Sequence, residues 1–248
     1  MLNLQNGGAD IDSLIIDNSR DEFNYFRKLS GELEDFPHVT VAHYEPGKKD
    51  PAMHIHATVC NLARSIALDG DYDYLLIHES DVIPASTDLI ELLKAVNLFP
   101  HLEAVFSGIV PYDNNTTLIY KKLKSHNMDE EGAIQELVSL SLSWGQKIGN
   151  MEVRVPRYTY DKWIPDIEYF KMNELDNFKE PFPVAGCSLG FTLIPRAVLE
   201  DVLFRAISSS SAMADVWFCI DVRHTGHEIF CVPSVRPQHL WKKWEGII

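Results

Sequence analysis

The chain has 248 residues, and its 22 lysines and arginines against 36 aspartates and glutamates give a formal net charge of −14. An apolar fraction of 46% with 23% charged residues is ordinary for a globular protein and excludes a largely disordered chain. The acidic balance argues against a nucleic-acid binder, because displacing counterions from phosphates needs a basic surface. A phosphate-bearing ligand would therefore need local neutralisation, for which a divalent metal is the obvious candidate.

Cellular location is predicted from three features of the sequence. No stretch approaches the roughly 18 to 20 consecutive apolar residues of a membrane helix. The first dozen residues are polar and lack the apolar segment of a signal peptide. The cysteines lie far apart without a CxxC pair, at Cys60, Cys187, Cys219 and Cys231. This spacing suggests neither structural zinc nor a disulfide framework, so we expect a cytoplasmic protein without a transmembrane segment.

Strand-like and helical patterns alternate over the first hundred residues. Short apolar runs predict strands at 13–17, 39–42, 74–78 and 104–108. Apolar residues at helical spacing predict helices at 21–33, at 54–68 and from Thr87 or Asp88 onward. This order predicts βαβ units, and hence an α/β fold with a mostly parallel sheet and helices on both faces.

The pattern changes between residues 112 and 183. One helix is predicted near 131–142, and the rest of the segment is loop-rich and dense in aromatic residues. Regular patterning then returns, with strands at 190–194 and 228–232, a helix opened by Pro195 and another at 215–224. We expect one domain over 1–248, made of 12–111 and 184–248 with an inserted variable segment at 112–183.

The most informative segment runs from Asp73 to Pro84, where an apolar strand leads directly into Glu79-Ser80-Asp81. Ligands bind at the carboxyl ends of strands in open parallel sheets. Two carboxylates two residues apart in a bend can turn toward one point, and oxygen ligands suit Mg²⁺ or Mn²⁺. A turn and helix-capping role is the common alternative for an isolated pattern of this kind.

This segment resembles the Asp-x-Asp region of nucleotide-sugar glycosyltransferases with the GT-A fold, especially the family-2-type group. Four further stretches resemble motifs of that group and occur along the chain in the order that the group has them, at 14–18, 60–61, 185–199 and 214–239. The resemblance covers about 12–111 and 184–241. It implies a Rossmann-like GT-A fold and a metal-dependent hexosyltransferase. Such an enzyme moves a sugar from a UDP- or GDP-sugar to a glycan or other hydroxyl acceptor, with inversion.

The resemblance also implies roles for individual residues. Asp215 would take the proton of the acceptor hydroxyl. The ligands of Mn²⁺ or Mg²⁺ would be Glu79, Asp81 and His239. The donor-binding positions would be Asp17, at the end of the first predicted strand, with Asn61, Ser80 and Gly186.

The sequence departs from the family pattern at three places. The family's first strand has no clear counterpart in the first dozen residues, Glu79 replaces the first aspartate of the metal motif, and Ala214 replaces the usual glutamate. Two alternatives therefore stay open. One is a non-catalytic nucleotide-sugar or glycan-binding protein of the same fold. The other is a sugar nucleotidyltransferase, although no Gly-rich, basic loop typical of that class is visible.

Other candidate residues have simpler interpretations. The pairs His54-x-His56 and His224-x-x-His227 could bind a metal, but surface or helix-end positions explain them better because neither has an acidic or cysteine partner at a known spacing. The aromatic residues between Tyr158 and Phe182 could stack on sugar rings or could pack the inserted segment.

Overall fold

The structure is a computed structural model that describes residues 8–21, 23–48, 50–113, 115–125, 143–148, 151–156, 165–206 and 213–240. Its strands are β1 Ser13–Asp17, β2 Val39–His43, β3 Tyr74–His78, β4 Val82–Ile83, β5 Ala104–Ser107, β6 Thr116–Ser125, β7 Ser143–Ile148, β8 Met151–Pro156, β9 Pro165–Lys171, β10 Phe182–Pro183, β11 Gly186–Cys187, β12 Phe191–Pro195, β13 Glu228–Cys231 and β14 Gln238–His239. The helices of the described residues are α1 Asn24–Leu33, α2 Ala52–Asp69, α3 Asp88–Leu98, α4 Met172–Leu175, α5 Arg196–Asp201 and α6 Ala214–His224.

Five strands form a central mixed sheet in the order β10–β13–β5–β12–β3. Strand β13 runs parallel to β5, whereas β12 is antiparallel to both β5 and β3, and β10 is antiparallel to β13. The fold is therefore α/β, but the prediction of a mostly parallel sheet is corrected. Apolar runs identify strands without fixing their direction, and the predicted strand at 190–194 enters the sheet antiparallel to both neighbours.

The first two strands pair with each other. Strands β1 and β2 form a separate parallel pair, in which Asp17 lies opposite His43. Helix α1 connects them, as the alternating pattern predicts, and it has no buried residue.

Apolar side chains cover both faces of the central sheet. Val105 of β5 lies in a cluster with residues of α2, α5 and α6, including Trp217. Its neighbour Phe106 lies in a second cluster with Leu92 of α3. Fully burying one such side chain contributes about 1.5–3 kcal/mol, so these clusters fix the sheet that carries the site. None of the helices in the described part of the chain has the length and apolar character needed to cross a membrane.

The segment at 112–183 contains strands where a loop-rich stretch is predicted. Strand β6 pairs antiparallel with β11 on one side and with β9 on the other, and β7 pairs with β8. The predicted helix at 131–142 lies outside the described residues. The division into one domain with an insertion stays a prediction.

The last strand pair lies directly beside the predicted metal motif. Strand β4 follows that motif and pairs antiparallel with β14, which places His239 opposite Val82. The backbone N–H of Leu240 donates a hydrogen bond to the carbonyl of Asp81 at 2.7 Å. Two distant parts of the sequence thereby meet at the carboxyl end of β3.

Candidate functional site

The predicted metal motif forms a tight turn at the end of β3. The N–H of Glu79 donates to the carbonyl of Gly190 at 3.0 Å, and the N–H of Val82 donates to the carbonyl of Glu79 at 3.0 Å. The turn therefore spans residues 79–82 and contains both Glu79 and Asp81. Burial raises the pKa of the Glu79 carboxyl to about 7, and the negative charges of Asp215 and Asp81 act in the same direction. The charges of two predicted site residues, Asp81 and Asp215, therefore act on a third, Glu79.

His239 and Asp81 face each other. Nε2 of His239 lies 3.3 Å from Oδ2 of Asp81, and Nδ1 lies 2.8 Å from the carbonyl oxygen of Pro111. Because a carbonyl only accepts hydrogen bonds, Nδ1 carries a proton, and Nε2 is the ring nitrogen that faces the carboxylate. Two electron-rich atoms at this distance need a proton or a cation between them. A histidine anchored through its other nitrogen is also the usual arrangement of a metal ligand.

The side chains around Asp81 form the donor set for the metal that the resemblance implies. Among the described residues, no three His, Cys, Asp or Glu side chains lie close enough together to hold a metal ion by themselves. One carboxylate and one imidazole nevertheless fit Mn²⁺ or Mg²⁺, because these ions keep waters and complete their coordination with phosphate oxygens. The carboxyl of Glu79 adds negative charge beside the Asp81–His239 pair.

Asp215, the predicted base, lies in the first turn of α6 and is held at both carboxylate oxygens. Its Oδ1 accepts a hydrogen bond from the N–H of Val216 at 2.8 Å, and its Oδ2 accepts one from the hydroxyl of Tyr120 at 2.9 Å. Burial raises the pKa of the Asp215 carboxyl, while His56 and Tyr120 act to lower it. A carboxylate of raised pKa in a fixed orientation is suited to accept a proton.

Tyr120 belongs to a row of residues across the three-stranded sheet. Gly186 lies opposite it on β11, and Tyr169 lies opposite it on β9. A Cβ atom on Gly186 would lie 2.5 Å from Cδ2 of Tyr120 and 2.9 Å from Cβ of Cys219. The absence of a side chain at Gly186 therefore makes room for the Tyr120 ring that holds Asp215. The predicted contact of Gly186 with a donor stays a prediction.

His56 lies in the candidate site, although its sequence pattern favours a surface or helix-end position. Its Nε2 lies 3.4 Å from Oε1 of Glu79. Desolvation by burial lowers the pKa of His56, but the neighbouring Cys60 and Asp215 more than offset it and raise the pKa to about 9. The imidazole thus lies within the electrostatic field of both Glu79 and Asp215. These partners are distant in sequence, so no local spacing could have revealed them.

Asp17 lies at the end of β1 and is bonded within the protein. Its Oδ2 is 2.7 Å from Nδ1 of His43, and its Oδ1 accepts the N–H of Ser19 at 3.0 Å. Burial by itself would raise the pKa of Asp17, but the bonds from Ser19 and His43 lower it overall. The carboxylate is therefore held in its charged form, and its predicted contact with a nucleotide stays a prediction.

The two other predicted donor-binding residues have different environments. Both ends of the Asn61 amide bond to the backbone of Phe204: Nδ2 donates to its carbonyl at 2.5 Å, and Oδ1 accepts its N–H at 3.0 Å. These bonds join α2 to the segment after α5. Ser80 is exposed in the turn between Glu79 and Asp81. The roles of both residues in donor binding stay predictions.

Comparison with known proteins supports a likeness of fold. The sequence matches no known family profile and no curated protein. The crystal structure of A197 from STIV is 16% identical, with a TM-score of 0.47 over 92% of this chain and 85% of that chain. The crystal structure of GalNAc-T7 with UDP, GalNAc and Mn²⁺ is 12% identical, with a TM-score of 0.51 over 92% of this chain.

Of these two structures, GalNAc-T7 bears on the fold because its TM-score exceeds 0.5. The chain spans 37% of the length of that structure. At 12% identity the likeness shows a glycosyltransferase-like fold alone. Activity therefore has to be argued from the site.

Proposed function

We propose that this protein is a metal-dependent glycosyltransferase that moves a hexose from a UDP- or GDP-sugar to an acceptor hydroxyl. The observation that carries the proposal is the meeting of Asp81 with His239 at 3.3 Å, in the same electrostatic field as Asp215. The likeness in fold to GalNAc-T7, whose structure contains UDP, GalNAc and Mn²⁺, supports it.

The Asp81–His239 pair would hold Mn²⁺ or Mg²⁺, with the charge of Glu79 beside it. When bound, the ion supplies Lewis-acid stabilisation of the charge on a departing nucleoside diphosphate. A protein with a net charge of −14 needs such a local positive centre to bind a diphosphate. The carbonyl of Pro111 fixes the His239 ring through Nδ1, so that Nε2 would remain available to hold the cation.

Asp215 is the general base in this proposal. Burial makes its carboxylate a stronger base, and Tyr120 and Val216 fix its orientation. Taking the proton of the acceptor hydroxyl contributes roughly 10² to 10⁴-fold in rate for such a group. Direct attack of that hydroxyl on the donor sugar gives inversion at the anomeric carbon.

We extend the proposal to the donor-binding residues. Exposed Ser80 contacts the donor from the turn of the metal motif. Asp17, Asn61 and Gly186 act indirectly, because their groups bond or pack inside the protein. Under this proposal their substitution changes donor affinity through the position of β1, α2 and Tyr120. The cytoplasmic location stays a prediction.

A non-catalytic nucleotide-sugar or glycan-binding protein is the second candidate. Ala214 favours it, because this fully buried residue occupies the position where the resemblance places a second acid. Asp215 is then the sole carboxylate of the motif.

Donor hydrolysis separates the two functions. UDP-, GDP- and dTDP-hexoses are incubated with Mn²⁺, and the released nucleoside diphosphate is measured for wild type and Asp215→Asn. An enzyme releases nucleoside diphosphate in wild type, and the release falls in the variant. Donor binding by calorimetry without release in either protein would show a binding module. Retention of the anomeric configuration in the product, observed by NMR, would refute inversion.

A further inference from the structure

Two exposed tyrosines flank the proposed metal pair and the proposed base. Tyr112 directly follows Pro111, whose carbonyl holds His239. Tyr169 lies on β9, where burial raises the pKa of its hydroxyl and the charges of Asp215 and Tyr112 act in the same direction. Their side chains are 46% and 37% exposed, respectively. Together they present two partly exposed aromatic rings near the proposed metal pair and the proposed base.

Both tyrosines are held by their surroundings. The ring of Tyr169 meets the ring of Tyr120 edge-on, with centroids 5.4 Å apart and planes at 84°. The N–H of Tyr112 donates to the carbonyl of Thr116 at 2.9 Å, which ties the backbone of Tyr112 to the start of β6. The hydroxyl of Tyr120 donates a hydrogen bond to Asp215. Tyr120 therefore contacts both the ring of Tyr169 and the proposed base.

The chemical groups around Tyr112 and Tyr169 indicate which class of ligand could bind there. Aromatic faces pack against apolar C–H groups, and phenol hydroxyls can bond to hydroxyl groups of the same ligand. A sugar ring offers both kinds of surface. The charge of Asp215, which acts on the hydroxyl of Tyr169, disfavours an anionic acceptor at this position.

We propose that Tyr112 and Tyr169 form an acceptor platform that binds the ring of a neutral carbohydrate. This inference rests on the proposed function, because it places the acceptor hydroxyl next to Asp215. It names the acceptor class that the resemblance leaves open between glycans and other hydroxyl compounds.

Sugar binding without donor tests the platform. Saturation-transfer NMR and calorimetry are run with lactose, maltotriose, cellotriose and chitobiose, and with a Ser/Thr-containing peptide as a competing class. We expect wild type to bind a neutral sugar, with Kd rising about tenfold in Tyr112→Ala and in Tyr169→Ala. Tyr169→Phe keeps the flat ring, so its Kd stays within about twofold of wild type.

Tyr74→Ala is the matched control. Tyr74 is 38% exposed but begins β3, at the opposite end of the strand from Glu79. Its substitution is expected to leave sugar binding unchanged. If Tyr169→Ala does not fold, as judged by circular dichroism, Tyr169→Leu replaces it, because leucine keeps apolar bulk without a flat ring.

The outcomes separate this inference from the proposed function. Absence of binding to every neutral sugar, binding of the peptide alone, or sugar binding that both alanine variants leave intact would overturn the platform. Neutral-sugar binding that depends on both tyrosines supports the platform even where donor hydrolysis is absent. Donor hydrolysis combined with tyrosine-independent sugar binding supports the proposed function and rejects the platform.

Discussion

His239 and Asp81 lie 158 positions apart in the chain, and their side chains face each other at 3.3 Å. The pairing of β14 with β4 brings them together, and the bond from Leu240 to the Asp81 carbonyl fixes the register. The turn after β3 therefore supplies one of the two proposed metal ligands, and a strand near the other end of the described residues supplies the second.

Removal of either proposed ligand should weaken cation binding strongly. We expect Asp81→Asn and His239→Ala to weaken Mn²⁺ binding by about 100-fold, in the range seen when metal sites lose supporting groups. Calorimetry with MnCl₂ measures this directly, and EDTA should stop donor hydrolysis by wild type. Asp71→Asn is the control, because Asp71 is a highly exposed acid in the loop before β3. Unchanged Mn²⁺ affinity in both site variants would contradict the assignment.

Loss of the Tyr120 hydroxyl should change the pH dependence of transfer. The Tyr120 bond favours the charged form of Asp215, so Tyr120→Phe should raise the pKa of that carboxyl further. The acid limb of the rate profile then moves to higher pH, whereas Asp215→Asn lowers the rate about 10² to 10⁴-fold at all pH values. Rates of donor turnover between pH 4 and 9 measure both effects. An acid limb that stays in place in Tyr120→Phe would show that this bond does not act on the base.

A methyl group at Gly186 should destabilise the protein. The added Cβ would overlap the Tyr120 ring and Cys219, and overpacking of this kind costs about 1–3 kcal/mol. Gly31→Ala is the matched control, since a Cβ there meets nothing within 4 Å in α1. That change should stabilise by about 0.4–1 kcal/mol. Urea unfolding measures both free energies, and equal stabilities for the two variants would disprove the packing argument.

The Asp17 carboxylate should stabilise the fold in a pH-dependent way. Its pKa is lower in the folded protein than in the unfolded chain, so its contribution is present above about pH 4 and is lost as the pH falls through the folded value. Asp17→Asn should cost about 1.5–3 kcal/mol at pH 7, as expected for hydrogen bonds to a charged group. The difference from wild type should shrink below pH 4. Denaturant unfolding at a series of pH values tests this, and a pH-independent difference would contradict it.

The sequence predicts the elements around the site well because their patterns are local. The apolar run ending at His78 predicts β3, and the acids that follow it lie in the predicted turn. The helix at 215–224 is present as α6, with Asp215 in its first turn. Each of these features depends on residues within about a dozen positions, which is the range over which periodicity reports structure.

The missed features depend on long-range pairing. His56 meets Glu79 from a different element, and Tyr120 reaches Asp215 from a strand within a segment predicted to be rich in loops. The direction of β12 is likewise set by β3 and β5 rather than by its own residues. Such relations follow from tertiary structure alone, so the apolar pattern at 190–194 could identify a strand but could not orient it.

The two-residue strand β14 has a thermodynamic consequence. It joins the described sheets through β4 alone, so detaching it breaks few backbone bonds and leaves the central sheet intact. Segments with so few bonds open at far lower free energy than the global transition. Cation affinity should consequently decrease on warming before the protein unfolds, so that cation binding would report the local opening of β14.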